Sequence, residues 1–171
     1  MELARALLEH GHVVTDNSPA SRALVTKKFG TRRADGRVLL TPFEALYLLE
    51  EKEIVVFQNK KTISFTHLLR ALGKAKTFWT SYVVFRHLRN KEFIVKTGLK
   101  FGTDFRVYAK NAGPKAHSKW LVMPVRERDN IRAIDFAAKN RIANTANKHI
   151  LLAIVDDEDD VSLWDVTWLK Q

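Results

Sequence analysis

The stretch "KFGTDFRVYAKNAGPKAHSKWLV", Lys100 to Val122, decides the fold of the second half of the chain. Within it, "FRVYAK" alternates apolar and polar residues, and "KWLV" opens a second apolar run after a proline-containing loop. Alternation of this kind predicts a half-buried strand. The stretch therefore predicts two strands joined by a basic loop, with Tyr108 closing the first strand and His117 just ahead of the second.

Apolar runs on both sides of this stretch predict the rest of a sheet. We expect further strands in "FIVKTG", in "HILLAIVD" and in "VSLWDVTWL". "HILLAIVD" is apolar on both faces, as a central strand is. Lys148 immediately precedes this strand, so it lies at the junction between a helical pattern and the sheet.

Two helical patterns accompany these strands. "TSYVVFRHLRNKE" predicts a helix that leads into the sheet, and we place the domain boundary there, between residues 1–85 and residues 86–171. "NIRAIDFAAKNRIANTAN" predicts an amphipathic helix from the spacing of its apolar residues. The apolar residues at i, i+3, i+7 and i+11, which we expect to be buried, are Ile131, Ile134, Ala138 and Ile142.

The first half of the chain predicts a small mixed α/β domain, so the expected fold class is α/β (α+β): this domain, then a C-terminal domain with a mixed sheet. Thr41-Pro42 followed by Glu44 predicts a capped helix start, and Ser64 opens another helix. Segment 27–37, "KKFGTRRADGR", is predicted to be an exposed basic loop with two glycines as turn signals.

Charge is the most informative feature of the composition. The 171 residues hold 29 Lys and Arg against 19 Asp and Glu, which gives a net charge of +10. Five of the acids form one run, so the remaining surface is more basic still and suits a polyanion such as nucleic acid. The run consists of Asp156, Asp157, Glu158, Asp159 and Asp160.

Other functional classes are disfavoured by what the sequence lacks. It holds 0 Cys, which excludes disulfides and thiolate metal sites. No window approaches the roughly 18 apolar residues of a membrane span. The charged N-terminus does not resemble a signal peptide. We therefore expect a cytoplasmic protein that does not enter membranes and needs neither metal nor cofactor.

Tyr108, His117 and Lys148 suit one reaction that needs no metal, the attack of an RNA 2′-hydroxyl on its neighbouring phosphate. That reaction needs a base, an acid and a cation beside the transition state. A histidine can give or take a proton near neutral pH, whereas a tyrosine needs nearby cations to favour its ionised form. Loop residues Lys110, Lys115 and Lys119 would attract the phosphate.

Each of these residues also fits a purely structural role. A tyrosine packs at a sheet edge, a histidine lies exposed in a loop, and a lysine complements a helix C-terminus. A non-catalytic RNA-binding subunit is therefore one alternative. A metal-dependent nuclease is another, but the only Glu-x-Lys, Glu50 to Lys52, falls at the end of a predicted helix.

Three segments together resemble the archaeal-type tRNA-splicing endonuclease family. They are "VKTGLKFGTDFRVYAKNAGPKAHSKWLV", "ANTANKHILLAIVDDEDDVSLWDVTW" and "LLTPFEALYLLEEKEIVV", and the resemblance covers about residues 38–169. It implies a nuclease domain that cuts precursor tRNA at bulge-helix-bulge motifs, leaving a 2′,3′-cyclic phosphate and a 5′-hydroxyl. It implies that Tyr108 is the general base, His117 the general acid and Lys148 the transition-state stabiliser.

The resemblance also implies further RNA contacts and a tetramer. Arg141 and Lys170 would grip a bulge base. The basic loop, with Arg32 and Arg33, is longer than the loop expected in the simplest homotetramers of the family, and its charge predicts a contact with RNA. The acidic run 156–160 would insert into a basic cleft of an opposing subunit, and the final strand would pair dimers. The chain would form either a homotetramer or an α2β2 heterotetramer with a non-catalytic paralogous subunit.

Overall fold

A computed structural model describes residues 3–113 and 116–169. The chain divides into two compact units, Met1–Lys76 and Thr77–Gln171, and each unit contains one mixed β-sheet. This confirms the predicted fold class of two mixed α/β domains. None of the helices within the described ranges is long and apolar enough to span a membrane.

The N-terminal unit is a six-stranded sheet with three helices. The strands follow the order β3-β4-β2-β1-β5-β6, and only the pairing of β1 with β5 is parallel. The elements along the chain are β1 (Ala4–Glu9), β2 (His12–Thr15), α1 (Pro19–Thr26), β3 (Thr31–Arg32), β4 (Val38–Leu40), α2 (Pro42–Glu50), β5 (Ile54–Gln58), β6 (Lys61–Thr62) and α3 (Phe65–Leu72).

The central strand β1 was not predicted. Its buried positions are Ala4, Ala6 and Leu8, and they alternate with exposed side chains. Two alanines supply little apolar signal, and the exposed Leu7 between the buried Ala6 and Leu8 breaks the alternation of apolar and polar residues. The strand is recognised only through its pairing with β2 and β5.

The segment 27–37 is more ordered than the predicted basic loop. Its residues Thr31–Arg32 form β3, which pairs with β4 through a turn that ends at Gly36, where φ is 83°. Phe29 is buried and its ring stacks on Tyr47 with the ring centres 5.8 Å apart. The hydrophobic contact explains why the segment does not remain a free loop, although its basic side chains, including Arg32, are exposed.

Glu44 connects this segment to the start of α2. The predicted capping box is present: Thr41 Oγ1 accepts from the Glu44 N–H at 3.2 Å, and Glu44 Oε2 accepts from the Thr41 N–H at 3.0 Å. The other carboxylate oxygen of the buried Glu44 accepts from the Gly30 N–H at 3.0 Å. One carboxylate therefore both caps the helix and fixes the entry to β3.

The C-terminal unit contains the five predicted strands. They follow the order β11-β10-β9-β8-β7, with β9 and β10 parallel and the other neighbours antiparallel. The elements are α4 (Phe78–Asn90), β7 (Ile94–Thr97), a 3-10 turn (Leu99–Phe101), β8 (Phe105–Tyr108), β9 (Trp120–Arg126), α5 (Ala133–Thr145), β10 (His149–Val155) and β11 (Val161–Val166).

The boundary between the units falls before the connecting helix, between Lys76 and Thr77. The sequence placed it later, between residues 85 and 86. The difference has a simple cause, because α4 packs along its whole length against strands of the second sheet. Its residues Val83, Val84 and Leu88 are buried.

The predicted buried stripe of α5 is wrong. Ile134 is 72% exposed and Ile142 is also exposed. Ala143 is the fully buried residue, and it packs in a cluster with Leu121 and Ile150 of the sheet. The helix carries apolar residues on two sides, and the small Ala143 lets its backbone approach the strands closely. Spacing alone did not distinguish the two sides.

Replacing Glu44 with alanine should lower the free energy of unfolding of the N-terminal unit by about 2 kcal/mol, since a capping interaction and a buried hydrogen bond to Gly30 are lost together. Urea unfolding followed by circular dichroism measures this. Glu51→Ala is the matched control, because Glu51 is exposed just beyond the same helix. Equal stability of the two variants would contradict the double role of Glu44.

Candidate active site

Three strand ends meet at one edge of the C-terminal sheet. β8 is antiparallel to β9 with Val107 opposite Trp120, and β10 is parallel to β9 with His149 opposite the same Trp120. Tyr108 follows Val107, and Lys148 precedes His149. The C-terminal end of β8 therefore lies beside the N-terminal ends of β9 and β10.

Hydrogen bonds fix the segment that follows His117. The Lys119 N–H donates to the Val107 carbonyl at 2.8 Å, and the Lys119 carbonyl accepts from the first N–H of β10 at 3.0 Å. Ser118 is buried, and its carbonyl accepts from Lys148 Nζ at 2.8 Å. The ammonium of Lys148 is thus bonded to the residue next to His117.

Tyr108 shares its sheet face with Arg106. The two residues alternate with the buried Phe105 and Val107, and the central carbon of the Arg106 guanidinium lies 5.7 Å from the centre of the Tyr108 ring. Tyr108 is half-buried, whereas the side chain of His117 is exposed in the loop before β9. Both side chains are therefore open to a ligand from solvent.

Lys148 lies among other cations. Burial lowers its pKa, and the positive charges of Arg106 and Lys100 lower it further. Its Nζ lies 5.8 Å from the centre of the Phe101 ring, so one side of the ammonium faces an aromatic surface. A phosphate bound here would relieve the repulsion among these cations.

Each of the two units matches a model of a known protein family. The family model described as "tRNA intron endonuclease, catalytic C-terminal domain" matches residues 78–166. A second model, "tRNA intron endonuclease, N-terminal domain", matches residues 4–69. The chain belongs to the tRNA intron endonuclease family. Both described units are therefore accounted for by the one family.

Archaeal relatives match over most of their length. A tRNA-splicing endonuclease of Methanothermobacter thermautotrophicus is 34% identical over 88% of this chain and 88% of its own length. One from Pyrococcus furiosus is 40% identical over 78% of each chain. One from Nanoarchaeum equitans is 35% identical over 83% of this chain and 96% of its own.

Two of the lysines that we predicted to contact RNA lie over aromatic rings. Lys110 Nζ is 5.5 Å from the centre of the Phe93 ring, and Lys119 Nζ is 4.4 Å from the Trp120 ring. The two rings meet edge to face with centres 5.8 Å apart. By strand register, Trp120 lies on the opposite sheet face from Tyr108, so these cations are associated with a separate aromatic pair.

The remaining predicted RNA contacts are spread over the chain. Arg141 is exposed on α5. Arg32 and Arg33 are exposed in β3 and the turn that follows it. Lys115 and Lys170 lie outside the residues that the structure describes.

Asp156 of the acidic run acts inside its own turn. Its Oδ1 accepts from the N–H groups of Glu158 and Asp160 at 3.0 and 2.8 Å. Its carbonyl accepts from the Arg126 guanidinium at 2.6 Å. The carboxylate therefore holds the connection between β10 and β11.

Asp159 also forms its contacts within the C-terminal unit. It adopts a φ of 64°, pairs with Arg126 at 2.7 Å and accepts from the Trp79 indole N–H at 2.9 Å. Only Asp157, Glu158 and Asp160 of the five are exposed. The predicted assembly surface is thus reduced to these three side chains, presented by a turn that Asp156 and Asp159 hold in shape.

The sequence pattern predicts no role for Arg106, Lys100 or Ser118. Strand alternation was the available signal for Arg106, since it lies two residues before Tyr108. Lys100 lies in the 3-10 turn, which periodicity does not predict, and its charge acts on Lys148. Ser118 contributes its backbone carbonyl, and because every residue type has one, the sequence could not predict this contact.

Replacing Arg106 with glutamine should raise the pKa of Lys148, because Arg106 is one of the two charges that lower it. NMR titration of side-chain-labelled lysine measures the shift. Arg128→Gln is the control, since Arg128 is exposed and pairs instead with Asp157 at 3.7 Å. A Lys148 pKa that moves equally in both variants would mean that net charge, and not the local cation cluster, governs this group.

Proposed function

We propose that this chain is the catalytic subunit of an endonuclease that excises introns from precursor tRNA at bulge-helix-bulge motifs. Family membership and the archaeal tRNA-splicing endonucleases that match it support an RNA-cleaving enzyme of tRNA splicing. The net charge of +10 fits a polyanionic substrate. The arrangement of one sheet edge supports the chemistry.

The observation that carries the proposal is the register of three strands. Since Val107 and His149 both lie opposite Trp120, Tyr108 and Lys148 come to the edge at which His117 precedes β9. This register supports the proposal that a base, an acid and a cation from three separate segments act together at this edge.

In the proposed reaction the substrate supplies its own nucleophile. Tyr108 accepts the proton of the 2′-hydroxyl as the 2′ oxygen bonds to phosphorus, and His117 donates a proton to the 5′ oxygen as the bond between phosphorus and that oxygen breaks. The products are a 2′,3′-cyclic phosphate and a 5′-hydroxyl. Each proton has a named donor and acceptor, so the scheme requires no metal ion.

Lys148 would stabilise the extra negative charge of the pentacoordinate phosphate. Its Nζ already donates to the Ser118 carbonyl, which ties the ammonium to the residue that follows His117 and leaves other N–H groups for a phosphate oxygen. Arg106 and Lys100 add to the positive potential. A preorganised cation of this kind acts mainly on the transition state.

RNA outside the scissile phosphate would be held by the other cations. Arg141 and Lys170 are proposed to grip a bulge base, and Lys110, Lys115 and Lys119 to attract the backbone. The aromatic pair of Phe93 and Trp120, which lies under Lys110 and Lys119, offers a surface for a base near those charges. Arg32 and Arg33 are proposed as contacts from the N-terminal unit.

Assembly is proposed to be a homotetramer or an α2β2 heterotetramer. The exposed acids Asp157, Glu158 and Asp160 would enter a basic cleft of another subunit. β11 forms one edge of its sheet, and Trp164 on it is 60% exposed, which suits pairing with a second copy. The solution mass, with and without a co-purifying partner, distinguishes the two assemblies.

Cleavage of a bulge-helix-bulge RNA tests the catalytic assignment. We expect His117→Ala and Lys148→Ala each to lower the single-turnover rate by about 10²-fold or more, because each removes an interaction made in the transition state. The wild-type rate should persist in a metal chelator, and the products should carry 2′,3′-cyclic phosphate ends.

Matched controls separate chemistry from folding and binding. Lys91→Ala and His10→Asn change exposed residues of the same types and should leave the rate unchanged. RNA binding by the two active-site variants should persist. If His117→Ala and Lys148→Ala both cleave at the wild-type rate, the alternative is favoured, in which the chain is a non-catalytic RNA-binding subunit of the same assembly. Loss of wild-type activity in chelator would favour a metal-dependent nuclease.

A further inference from the structure

The N-terminal sheet has one face that its helices do not cover. Alternate residues of β1 show the division: Ala4, Ala6 and Leu8 are buried, whereas Arg5 and Leu7 are exposed. Helices α1 and α2 pack against strands of this sheet. An open sheet face normally carries polar side chains.

An apolar row instead crosses this open face. Leu39 lies opposite Val14, Val14 opposite Leu7, and Leu7 opposite Phe57, so the row spans β4, β2, β1 and β5. Leu7 is 43% exposed and Leu39 is 36% exposed. Val14 and Phe57 are half-buried, so the row is partly open to solvent along its length. Exposed apolar surface rimmed by polar residues is typical of binding sites.

A groove of about 540 Å³ lies at one end of the row. Its lining includes Leu7 and Phe57 from the row, together with three cationic residues, Arg5, Arg37 and Lys60. The central carbon of the Arg5 guanidinium lies 4.9 Å from the centre of the Phe57 ring. The groove thus combines an aromatic surface, a stacked guanidinium and further positive charge.

The balance of charge in the groove is positive. Its one carboxylate, Asp16, accepts hydrogen bonds from the Ser18 and Ser21 hydroxyls and is held at the start of α1. Arg37 pairs with Asp35 at 2.7 Å. The positive charge of Arg5 acts on the Asp16 carboxylate. Within ranges 3–113 and 116–169, no carboxylate lies within salt-bridge distance of Arg5 or Lys60, so both can contact an anionic ligand.

We propose that this groove binds a single-stranded segment of RNA. A base would stack on the Arg5 and Phe57 surface, and the adjoining phosphate would pair with Lys60. Single-stranded nucleic acid is bound by this combination, in which aromatic rings take the bases and a basic groove takes the backbone. An acidic peptide would use the cations but leave the aromatic surface unmatched.

The site lies wholly in the N-terminal unit and uses none of the proposed catalytic residues. It therefore adds a further RNA contact to those proposed above and does not rest on the assignment of the base or the acid. Its consequence is that single-stranded parts of a substrate contribute to affinity independently of cleavage.

Fluorescence anisotropy of a labelled adenosine hexamer with the full-length protein tests the site. Phe57→Leu keeps the apolar volume but removes the ring, and should weaken binding about tenfold. Lys60→Gln should weaken binding about threefold. It should also reduce the slope of the logarithm of the binding constant against the logarithm of the salt concentration by about one. Lys61→Gln is the matched control: Lys61 carries the same charge one residue along and is not among the described residues that line the groove.

An abasic hexamer with the same number of phosphates separates stacking from charge. We expect it to bind the wild-type protein more weakly than the adenosine hexamer and to be insensitive to Phe57→Leu. Equal binding of the two hexamers, or equal losses of affinity in Lys60→Gln and Lys61→Gln, would contradict a specific site and indicate non-specific electrostatic attraction.

The melting temperature of Lys60→Gln should equal that of the wild-type protein, which would show that its weaker hexamer binding does not result from unfolding. Cleavage of a minimal bulge-helix-bulge RNA is measured in the same variants. Loss of hexamer binding with retained cleavage supports two separable sites. Retained hexamer binding in Phe57→Leu and Lys60→Gln would refute the groove without bearing on the catalytic triad.

Discussion

The parallel pairing of β10 with β9 is the constraint on which the candidate active site depends. It sets His149 opposite Trp120 and so places Lys148 where its Nζ reaches the Ser118 carbonyl. A slip of one residue would turn the side chains of β10 to the opposite face. A parallel pair also needs a long crossover, which α5 provides.

The core of the C-terminal unit supports this register. Ala143 of the crossover helix packs between Leu121 of β9 and Ile150 of β10, and its carbonyl accepts from the Lys148 N–H at 2.8 Å. Packing of the helix, alignment of the two strands and position of the lysine are therefore parts of one arrangement. A larger side chain at position 143 would therefore displace Lys148, although Tyr108, His117 and Lys148 themselves would be unchanged.

The sequence was informative where pattern and chemistry coincide. The five strands of the second sheet follow from apolar runs, and the capped start of α2 follows from Thr41, Pro42 and Glu44. It was uninformative where a tertiary contact decides the outcome. The buried side of α5 depends on the close approach allowed by Ala143, and β1 depends on neighbours that its weak alternation does not reveal.

The candidate site shows the same division. Residue type and resemblance to a family predict Tyr108, His117 and Lys148 as the reactive groups. Their surroundings are not predicted, because Arg106, Lys100 and the Ser118 carbonyl act on Lys148 through folded geometry. In the acidic run, composition suggested five equivalent charges, but Asp156 and Asp159 use theirs to hold the turn.

The proposed role of His117 as proton donor to the leaving group is tested most directly by a bulge-helix-bulge RNA with sulfur in place of the scissile 5′ oxygen. A thiolate leaves without protonation, so the rate of His117→Ala relative to wild type should recover on this substrate, while that of Lys148→Ala should remain low. An equal defect of His117→Ala on the oxygen and sulfur substrates would contradict the account.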